Sequence, residues 1–187
     1  MPRGSSTLPG FQKRSERTVH RGPLITVAVG TFAAPDGTEF ERDIVHHPGA
    51  VSVVPVIEQG DAVLLVRQYR AAIDTELLEI PAGKRDVEGE PPEQTARREL
   101  VEEIGMRAGR LEPLAEFYNS PGFCDELHYV FMALDLEPTA TDLQGVEEQH
   151  MTIERVSLDA VPGLIADHRI IDAKTIIGLT LARERLA

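Results

Sequence analysis

Short apolar segments rich in β-branched side chains recur along the chain, and this pattern predicts strands. Turn-forming residues at 58–61 separate two of these segments, and a Pro-Ala-Gly sequence closes another. The predicted strands cover residues 24–32, 51–57, 62–70, 77–80, 114–120, 127–136 and 151–158. The pattern therefore predicts a fold rich in β-sheet.

A different periodicity predicts a helix over residues 92–104. Ala96, Leu100 and Ile104 are spaced four residues apart, so they form one apolar stripe on a helix. Two prolines stand at the start of the segment, and Gly105 follows its last residue, where a helix C-terminal cap belongs.

Two further helices are expected near the carboxyl end of the chain. One covers residues from about 160 to 168, and the other covers residues from about 173 to 186 with Asp172 as its N-cap. Strands interspersed with helices predict a mixed α/β sandwich.

The amino-terminal part of the chain differs in composition from the rest. Residues 1–18 are rich in Ser, Pro, Gly and basic side chains, which predicts a mobile tail. Residues 19–48 hold two strand-like segments around a Pro-Asp-Gly turn, which predicts an antiparallel β arm. The main domain is expected over residues 49–187.

Length and charge narrow the possible functions. The chain has 187 residues, enough for one domain and an arm, and its formal net charge is −12. Nucleic-acid and membrane-surface binding both need basic patches, so neither is expected. A single cysteine, Cys124, and the lack of an apolar leader or spanning segment predict a cytoplasmic protein.

The predicted helix over residues 92–104 carries a cluster of acidic side chains. Glu99, Glu102 and Glu103 are spaced i, i+3 and i+4, so they project from one side of the helix. Mg²⁺ prefers carboxylate oxygens and would remove the repulsion between these charges. Arg98 precedes Glu102 by four residues and can pair with a carboxylate. For this fragment alone, a solvated acidic face is the alternative interpretation.

The wider segment resembles the box of the Nudix hydrolases, G-x5-E-x7-R-E-U-x-E-E-x-G-U, where U is a bulky aliphatic residue. The matching positions are Gly83, Arg98, Glu99, Leu100, Glu102, Glu103, Gly105 and Met106. Six residues rather than five separate Gly83 from Glu90, and the extra residue falls in a glycine-containing loop that tolerates insertion. The resemblance implies a Nudix-type α/β/α sandwich with a mixed sheet, and it leaves the role of Glu90 open.

In that family the helical glutamates bind Mg²⁺ or Mn²⁺, and water attacks a diphosphate joined to a second group. The resemblance therefore implies that Glu99 and Glu103 are the principal metal ligands and Glu102 a further one. It also implies a main-chain ligand at the Ala82 carbonyl and an orienting role for Arg98. Bound cations would explain how an acidic protein accepts an anionic substrate.

Residues outside the box resemble the ADP-ribose pyrophosphatase branch of the family. Pro121 stands sixteen residues after Gly105, as the hallmark proline of that branch does. By this resemblance Arg70 meets the diphosphate, and the substrate contacts are Arg70, Glu79, Pro121, Gly122, Phe123 and Glu126. The alternatives are a strand-end charge in solvent for Arg70, a plain turn for Pro121 and Gly122, and core packing for Phe123.

The catalytic base of that branch comes from a loop well after the box. Residues 145–151 resemble this loop, with Glu148 as the best-aligned carboxylate and Glu147 as its neighbour. A base needs only to reach the attacking water, so either carboxylate could serve. A solvated loop carboxylate is the alternative.

The amino-terminal arm also resembles that branch, where such a sheet is exchanged between two subunits. A homodimer with exchanged arms is expected, and Arg42 is a candidate for reaching the neighbour's ligand. The expected reaction is Mg²⁺-dependent hydrolysis of ADP-ribose to AMP and ribose 5-phosphate, with Mn²⁺ as a possible substitute. Two alternatives stay open: hydrolysis of another nucleoside diphosphate sugar, and a non-catalytic ADP-ribose-binding regulator.

Overall fold

The computed structural model describes residues 10–140 and 149–187. The candidate bases Glu147 and Glu148 lie outside the described residues. The chain divides into two compact units. The arm unit contains the chain up to Pro48 together with Tyr118–Glu126, and the core unit contains Gly49–Phe117 and Leu127–Ala187.

The arm unit contains a three-stranded antiparallel sheet in the order β1-β2-β3. Its strands are β1 (Gln12–Arg21), β2 (Thr26–Ala33) and β3 (Glu39–His46). The turn between β2 and β3 is closed by Asp36, whose Oδ1 accepts a hydrogen bond of 2.9 Å from the Thr38 amide.

The first strand corrects two expectations. Residues 12–18, predicted as the end of a mobile tail, belong to β1, and the arm has three strands rather than two. Every residue of β1 is exposed, so the strand buries no apolar face that a hydrophobic pattern could reveal. Its order comes instead from main-chain pairing with β2, which runs from Gln12 opposite Ala33 to Arg21 opposite Thr26.

The segment Tyr118–Glu126 joins the arm unit through main-chain hydrogen bonds. The Val45 amide donates to the Phe123 carbonyl at 2.7 Å, and the Asp125 amide donates to the Val45 carbonyl at 3.1 Å. Within the segment, the Cys124 amide donates to the Ser120 carbonyl at 2.9 Å and closes a turn. This turn holds the predicted substrate contacts of the segment beside β3.

The core unit is built on a mixed sheet in the order β10-β5-β4-β9-β8, with β6 paired to β5 and β7 paired to β4. The strands are β4 (Ala50–Ile57), β5 (Ala62–Arg70), β6 (Thr75–Glu79), β7 (Ala82–Lys84), β8 (Met106–Tyr118), β9 (Leu127–Pro138) and β10 (Thr152–Ser157). Strand β4 runs parallel to β9 and antiparallel to β5 and β7.

Helices cover both faces of this sheet. They are α1 (Pro92–Ile104), α2 (Val161–Ala166) and α3 (Ala173–Leu186), and short 3₁₀ turns stand at Glu58–Gly60 and Leu158–Ala160. Among the described helices, none combines the length and apolar character that crossing a bilayer would require.

Alternation along β4 divides the core into two layers. Val51 and Val53 pack in one cluster with Leu100 of α1, whereas Val54 packs in the other with Leu179 of α3. Leu100 and Leu179 are fully buried, and each such side chain stabilises the fold by about 1.5–3 kcal/mol. The expected α/β/α sandwich with a mixed sheet, preceded by an antiparallel arm, is confirmed.

Candidate active site

The acidic helix α1 begins and ends where its sequence predicts. Pro92 is its first residue, and Gly105 ends it with φ 63°, a left-handed conformation that suits glycine. The Gly105 amide donates to the last turn of the helix. Burial of Leu100 fixes how α1 lies on the sheet, and two glutamates share the covered side. Glu99 is 8% exposed and Glu103 is 4% exposed.

The backbone of β7 lies directly against these two glutamates. The Ala82 amide donates a hydrogen bond of 3.0 Å to Glu103 Oε2. A Cβ at Gly83 would lie 1.8 Å from Glu99 Cδ, so any side chain there would displace the carboxylate. Glycine at position 83 is therefore required by close approach rather than by its dihedral angles, and the first residue of the box motif has a physical explanation.

Arg98 links the acidic side chains of α1. Its Nη1 lies 2.9 Å from Glu99 Oε1 and 2.8 Å from Glu102 Oε2. Burial opposes the charge of the guanidinium, but the negative charges of Glu99 and Glu102 outweigh it and raise the pKa of Arg98. Arg98 therefore stays cationic and orients two of the three candidate metal ligands.

Glu90 contacts residues of α1 in spite of the extra residue before it. Its Oε2 accepts a hydrogen bond of 2.8 Å from Thr95 Oγ1 and lies 3.6 Å from Arg98 Nη2. Gly89, just before it, has φ 77°, which a glycine adopts without strain. The inserted residue is absorbed in this loop, and Glu90 lies close to the arginine that orients the other carboxylates.

The donor set of α1 suits a hard divalent cation, because carboxylate oxygens are the ligands that such ions prefer. Across residues 10–140 and 149–187, no group of three or more His, Cys, Asp or Glu side chains is arranged to hold a metal ion. The Arg98 guanidinium compensates the acidic charge in this arrangement. Glu99, Glu102 and Glu103 have the chemistry for a metal centre but do not form a ready-made ligand cage.

A second ionic cluster stands at the ends of β5 and β6. Arg70 and Glu79 form a bidentate pair, with Nε to Oε1 at 2.8 Å and Nη2 to Oε2 at 2.5 Å. Lys174 of α3 also donates to Glu79 Oε2 and lies 3.0 Å from Asp172 Oδ1. Glu79 is only 1% exposed, and two cations rather than water compensate its charge.

The environment keeps this cluster ionised. Burial pushes the pKa of Glu79 upward, but the Arg70 and Lys174 cations outweigh burial and hold that pKa below its ordinary value. The hydrogen bonds that Arg70 donates to Glu79 raise the pKa of Arg70. Both predicted substrate contacts in the core unit are thus charged and held by each other.

Sequence reasoning missed Lys174. A signal was present, because a lysine in the first turn of a helix is unfavourable for the helix dipole and needs a compensating anion. Asp172, the predicted N-cap of α3, is one such anion: its Oδ2 accepts a hydrogen bond of 2.9 Å from the Thr175 amide. Glu79 is the other, and it lies 95 residues away along the chain.

The remaining predicted contacts belong to the arm unit. Arg42 on β3 and the segment Pro121–Phe123 line a cavity of about 380 Å³ together with Phe32 and Ile44. The Arg42 guanidinium lies 4.7 Å from the centre of the Phe40 ring. The structure therefore gathers four of these candidates around one apolar cavity, and Glu126 ends the same segment of the arm unit.

Comparison with known proteins shows a family match and several long relatives. The NUDIX domain matches residues 46–177. The ADP-ribose pyrophosphatase of Bacillus subtilis (strain 168) is 37% identical over 161 residues, which cover 86% of each chain. The methanol dehydrogenase activator of Bacillus methanolicus is 33% identical over 171 residues, covering 90% of this chain and 91% of that protein.

Two further matches bear on fold and substrate. The GDP-mannose pyrophosphatase of Yersinia enterocolitica is 31% identical over 149 residues, covering 76% of this chain and 77% of the relative. A crystal structure described as an ADP compounds hydrolase superposes with a TM-score of 0.83 at 27% identity, covering 97% of each chain. The likeness thus extends over nearly the whole length, while the substrates in the relatives' names differ.

Proposed function

The chain belongs to the NUDIX family and is a Nudix pyrophosphohydrolase, and on this basis we propose that it hydrolyses ADP-ribose to AMP and ribose 5-phosphate. The observation that carries the proposal is the buried pair Glu99 and Glu103, against which the β7 backbone packs. Two carboxylates buried on one side of α1 are shielded from water, unlike those of a solvated helix face, and a bound cation would add to the compensation that Arg98 gives Glu99. The Bacillus subtilis relative supports ADP-ribose as the substrate.

Enzymes of this family generally need divalent metal ions, and we propose Mg²⁺, with Mn²⁺ as a substitute. Glu99 and Glu103 would be the principal ligands, with Glu102 and the Ala82 carbonyl as further ones. When bound, such an ion neutralises phosphate charge and makes water a better nucleophile.

The chain's own side chains would bind the substrate and move the proton. Arg98 keeps Glu99 and Glu102 oriented, and Arg70 would bind a diphosphate oxygen through a charge-assisted hydrogen bond. Glu148, or Glu147 beside it, would take a proton from the attacking water. A new bond forms between that water oxygen and one phosphorus, and the bond from that phosphorus to the bridging oxygen breaks. The two monophosphates are then released.

The arm unit would supply further substrate contacts. Arg42 and the segment Pro121–Phe123 line one cavity, and aromatic and apolar side chains of this kind can hold a flat base or a sugar face. Glu126 is a proposed polar contact at the end of the same segment. A homodimer with exchanged arms and a cytoplasmic location also belong to this proposal.

A second substrate class has a specific observation in its favour. The GDP-mannose pyrophosphatase relative covers most of the chain, so another nucleoside diphosphate sugar could be the substrate. Arg70 and the box carboxylates would act on the diphosphate that all such compounds share, and they do not discriminate between the bases.

A panel of nucleoside diphosphate sugars tests the proposal. Purified protein is incubated with ADP-ribose, ADP-glucose, GDP-mannose and UDP-glucose, with Mg²⁺ or with a chelator, and the released nucleotide is measured. We expect the highest kcat/KM for ADP-ribose and no turnover with the chelator. A higher kcat/KM for another sugar would transfer the activity to that substrate, and turnover in the chelator would refute the metal assignment.

A further inference from the structure

We propose that Lys174 is a positioning residue that neutralises buried Glu79, so that the Arg70 guanidinium can be shared with the substrate diphosphate. The inference rests on the proposed function, in which Arg70 binds that diphosphate. It assigns a role to a residue of the carboxyl-terminal helix, well outside the box motif.

The first observation is the number of cations that meet one carboxylate. Both oxygens of Glu79 accept from Arg70, and Lys174 Nζ donates to one of the same oxygens. Glu79 is 1% exposed, and the Lys174 side chain is 11% exposed. A single bidentate arginine would already balance the charge of Glu79, and Lys174, which also pairs with Asp172, brings a second cation to this carboxylate.

The second observation is the unequal exposure of the two cations. The Arg70 side chain is 36% exposed, whereas Lys174 is almost enclosed. The negative charge of Glu103, one of the proposed metal ligands, also contributes to raising the pKa of Arg70. Arg70 is therefore the cation of this cluster that can meet a ligand, and Lys174 is the cation that stays with Glu79.

Lys174 changes the energetic cost of moving Arg70 away from Glu79. A diphosphate that drew Arg70 away from Glu79 would leave a buried carboxylate without its arginine, which is strongly unfavourable when no other cation is present. With Lys174 in contact, Glu79 remains neutralised while Arg70 turns part of its hydrogen-bonding capacity to the substrate. Arg70 can then gain a phosphate oxygen without losing its anchor.

The start of α3 holds Lys174 in place for this role. Asp172 accepts hydrogen bonds from the Thr175 amide at 2.9 Å and from Thr175 Oγ1 at 2.6 Å. Thr175 Oγ1 in turn accepts from the Ile80 amide at 3.0 Å, which ties the helix start to the residue after Glu79. Asp172 also lies 3.0 Å from Lys174 Nζ and offsets the unfavourable helix dipole.

Four variants test the inference: Lys174→Met, Lys174→Arg, Glu79→Gln and the double variant Lys174→Met/Glu79→Gln. Steady-state kinetics are measured on whichever nucleoside diphosphate sugar the wild-type protein hydrolyses best, together with Tm. The choice of substrate separates the two proposals, because failure with ADP-ribose leaves the role of Lys174 testable on another diphosphate.

We expect Lys174→Met to raise KM by about tenfold or more, with a smaller change in kcat, because Arg70 becomes the main counter-ion of Glu79. Lys174→Arg restores the charge and should bring KM back to within about threefold of wild type. The double variant removes the buried anion as well, so its KM should lie below that of Lys174→Met.

Binding of ADP, measured by titration calorimetry, provides a readout without turnover. We expect Lys174→Met to raise the Kd for ADP by about tenfold. The control Lys13→Met, which breaks an exposed pair with Glu16, should leave this Kd unchanged. The role is overturned if Lys174→Met lowers Tm but leaves KM and Kd at wild-type values. It is equally overturned if Lys174→Arg is as impaired as Lys174→Met.

Discussion

Two bidentate arginine–glutamate pairs stand in the core unit and differ mainly in burial. Arg70 holds Glu79 with Nε to Oε1 at 2.8 Å, and Arg155 holds Glu58 with Nε to Oε1 at 2.6 Å. Glu79 is 1% exposed, whereas Glu58 is 47% exposed. Lys174 joins the first pair, whereas no second cation of the described residues pairs with Glu58.

The comparison shows that pair geometry alone does not distinguish a buried ion pair from a solvated one. In both places a cation lowers the pKa of the glutamate. At Glu58 the cause is the hydrogen bond from Arg155, and at Glu79 the cations Arg70 and Lys174 outweigh burial, which acts in the opposite direction. An exposed pair contributes about 0–1 kcal/mol, because water solvates both partners once they separate. Separating a buried pair leaves an uncompensated charge in the protein interior, which is strongly unfavourable. The geometry of such a pair therefore persists and can position a ligand contact.

The largest effect is expected where buried carboxylates would hold the metal. Glu103→Gln should reduce turnover by roughly 100-fold or more, because a metal site supplies several kcal/mol of transition-state stabilisation. The measurement is kcat of both proteins at saturating Mg²⁺, with circular dichroism to verify the fold.

The matched control is Glu58→Gln, which removes the same charge from the exposed pair and should keep turnover within about twofold of wild type. Turnover of Glu103→Gln at the level of this control would contradict the role of the box helix.

The next effect comes from the close approach of β7 to α1. Gly83→Ala places a Cβ 1.8 Å from Glu99 Cδ, so the carboxylate must move. Displacement of a catalytic group by about 1 Å can cost on the order of 100-fold in rate. We expect kcat to fall by about 10- to 100-fold while α1 stays folded.

Gly163→Ala in α2 is the control, because no described heavy atom lies within 4 Å of its new Cβ. It should leave kcat unchanged and raise stability slightly, since alanine is the better helix former. Equal rates for the two alanine variants would show that Glu99 does not depend on the glycine.

Burial should also separate the two pairs in stability. Glu79→Ala removes the buried carboxylate that Arg70 and Lys174 share and should lower the free energy of unfolding by about 3 kcal/mol. Glu58→Ala should leave it close to the wild-type value, because water solvates both partners of the exposed pair. Urea denaturation of both variants against wild type measures the difference, and similar losses would remove the distinction drawn from burial.

The smallest effect is expected in the arm unit, whose charged groups are largely exposed. His46 Nδ1 lies 2.6 Å from Asp125 Oδ2, and Nε2 lies 3.0 Å from Glu16 Oε1. Both ring nitrogens face acceptors, and the hydrogen bond to Asp125 is the main cause that raises the pKa of His46 above 6.5. Its contribution to stability is therefore complete below pH 6.5 and is lost as pH rises through the raised pKa.

Titration of the His46 ring by NMR measures this directly. Asp125→Asn should move the midpoint down toward 6.5 and change stability at low pH by less than about 1 kcal/mol. A wild-type midpoint at or below 6.5 would show that the two carboxylates do not hold the imidazolium.

Local signals made part of the fold and site predictable from the sequence. Helix α1 and its left-handed cap at Gly105 follow from spacing and from one glycine, and the acidic face follows from the same periodicity. Asp172 likewise identified the start of α3 from the sequence, because an N-cap interacts with residues of the first helical turn.

The remaining features of the fold and the site depend on contacts between residues that are distant in the sequence, so local patterns did not predict them. Strand β1 is exposed along its whole length, and the contact between Lys174 and Glu79 joins residues 95 positions apart. The attachment of Phe123 to Val45 uses main-chain groups that every residue carries. Glu148 lies outside the described residues and stays a prediction.

The most direct test of the account follows ADP-ribose by ³¹P NMR in ¹⁸O-labelled water, with Mg²⁺ and then with a chelator. Hydrolysis of the diphosphate should give equal amounts of AMP and ribose 5-phosphate, with the label on the phosphate of only one product, and no reaction once the cation is removed. ADP-ribose that binds to the protein yet remains intact in the presence of Mg²⁺ and Mn²⁺ would contradict it.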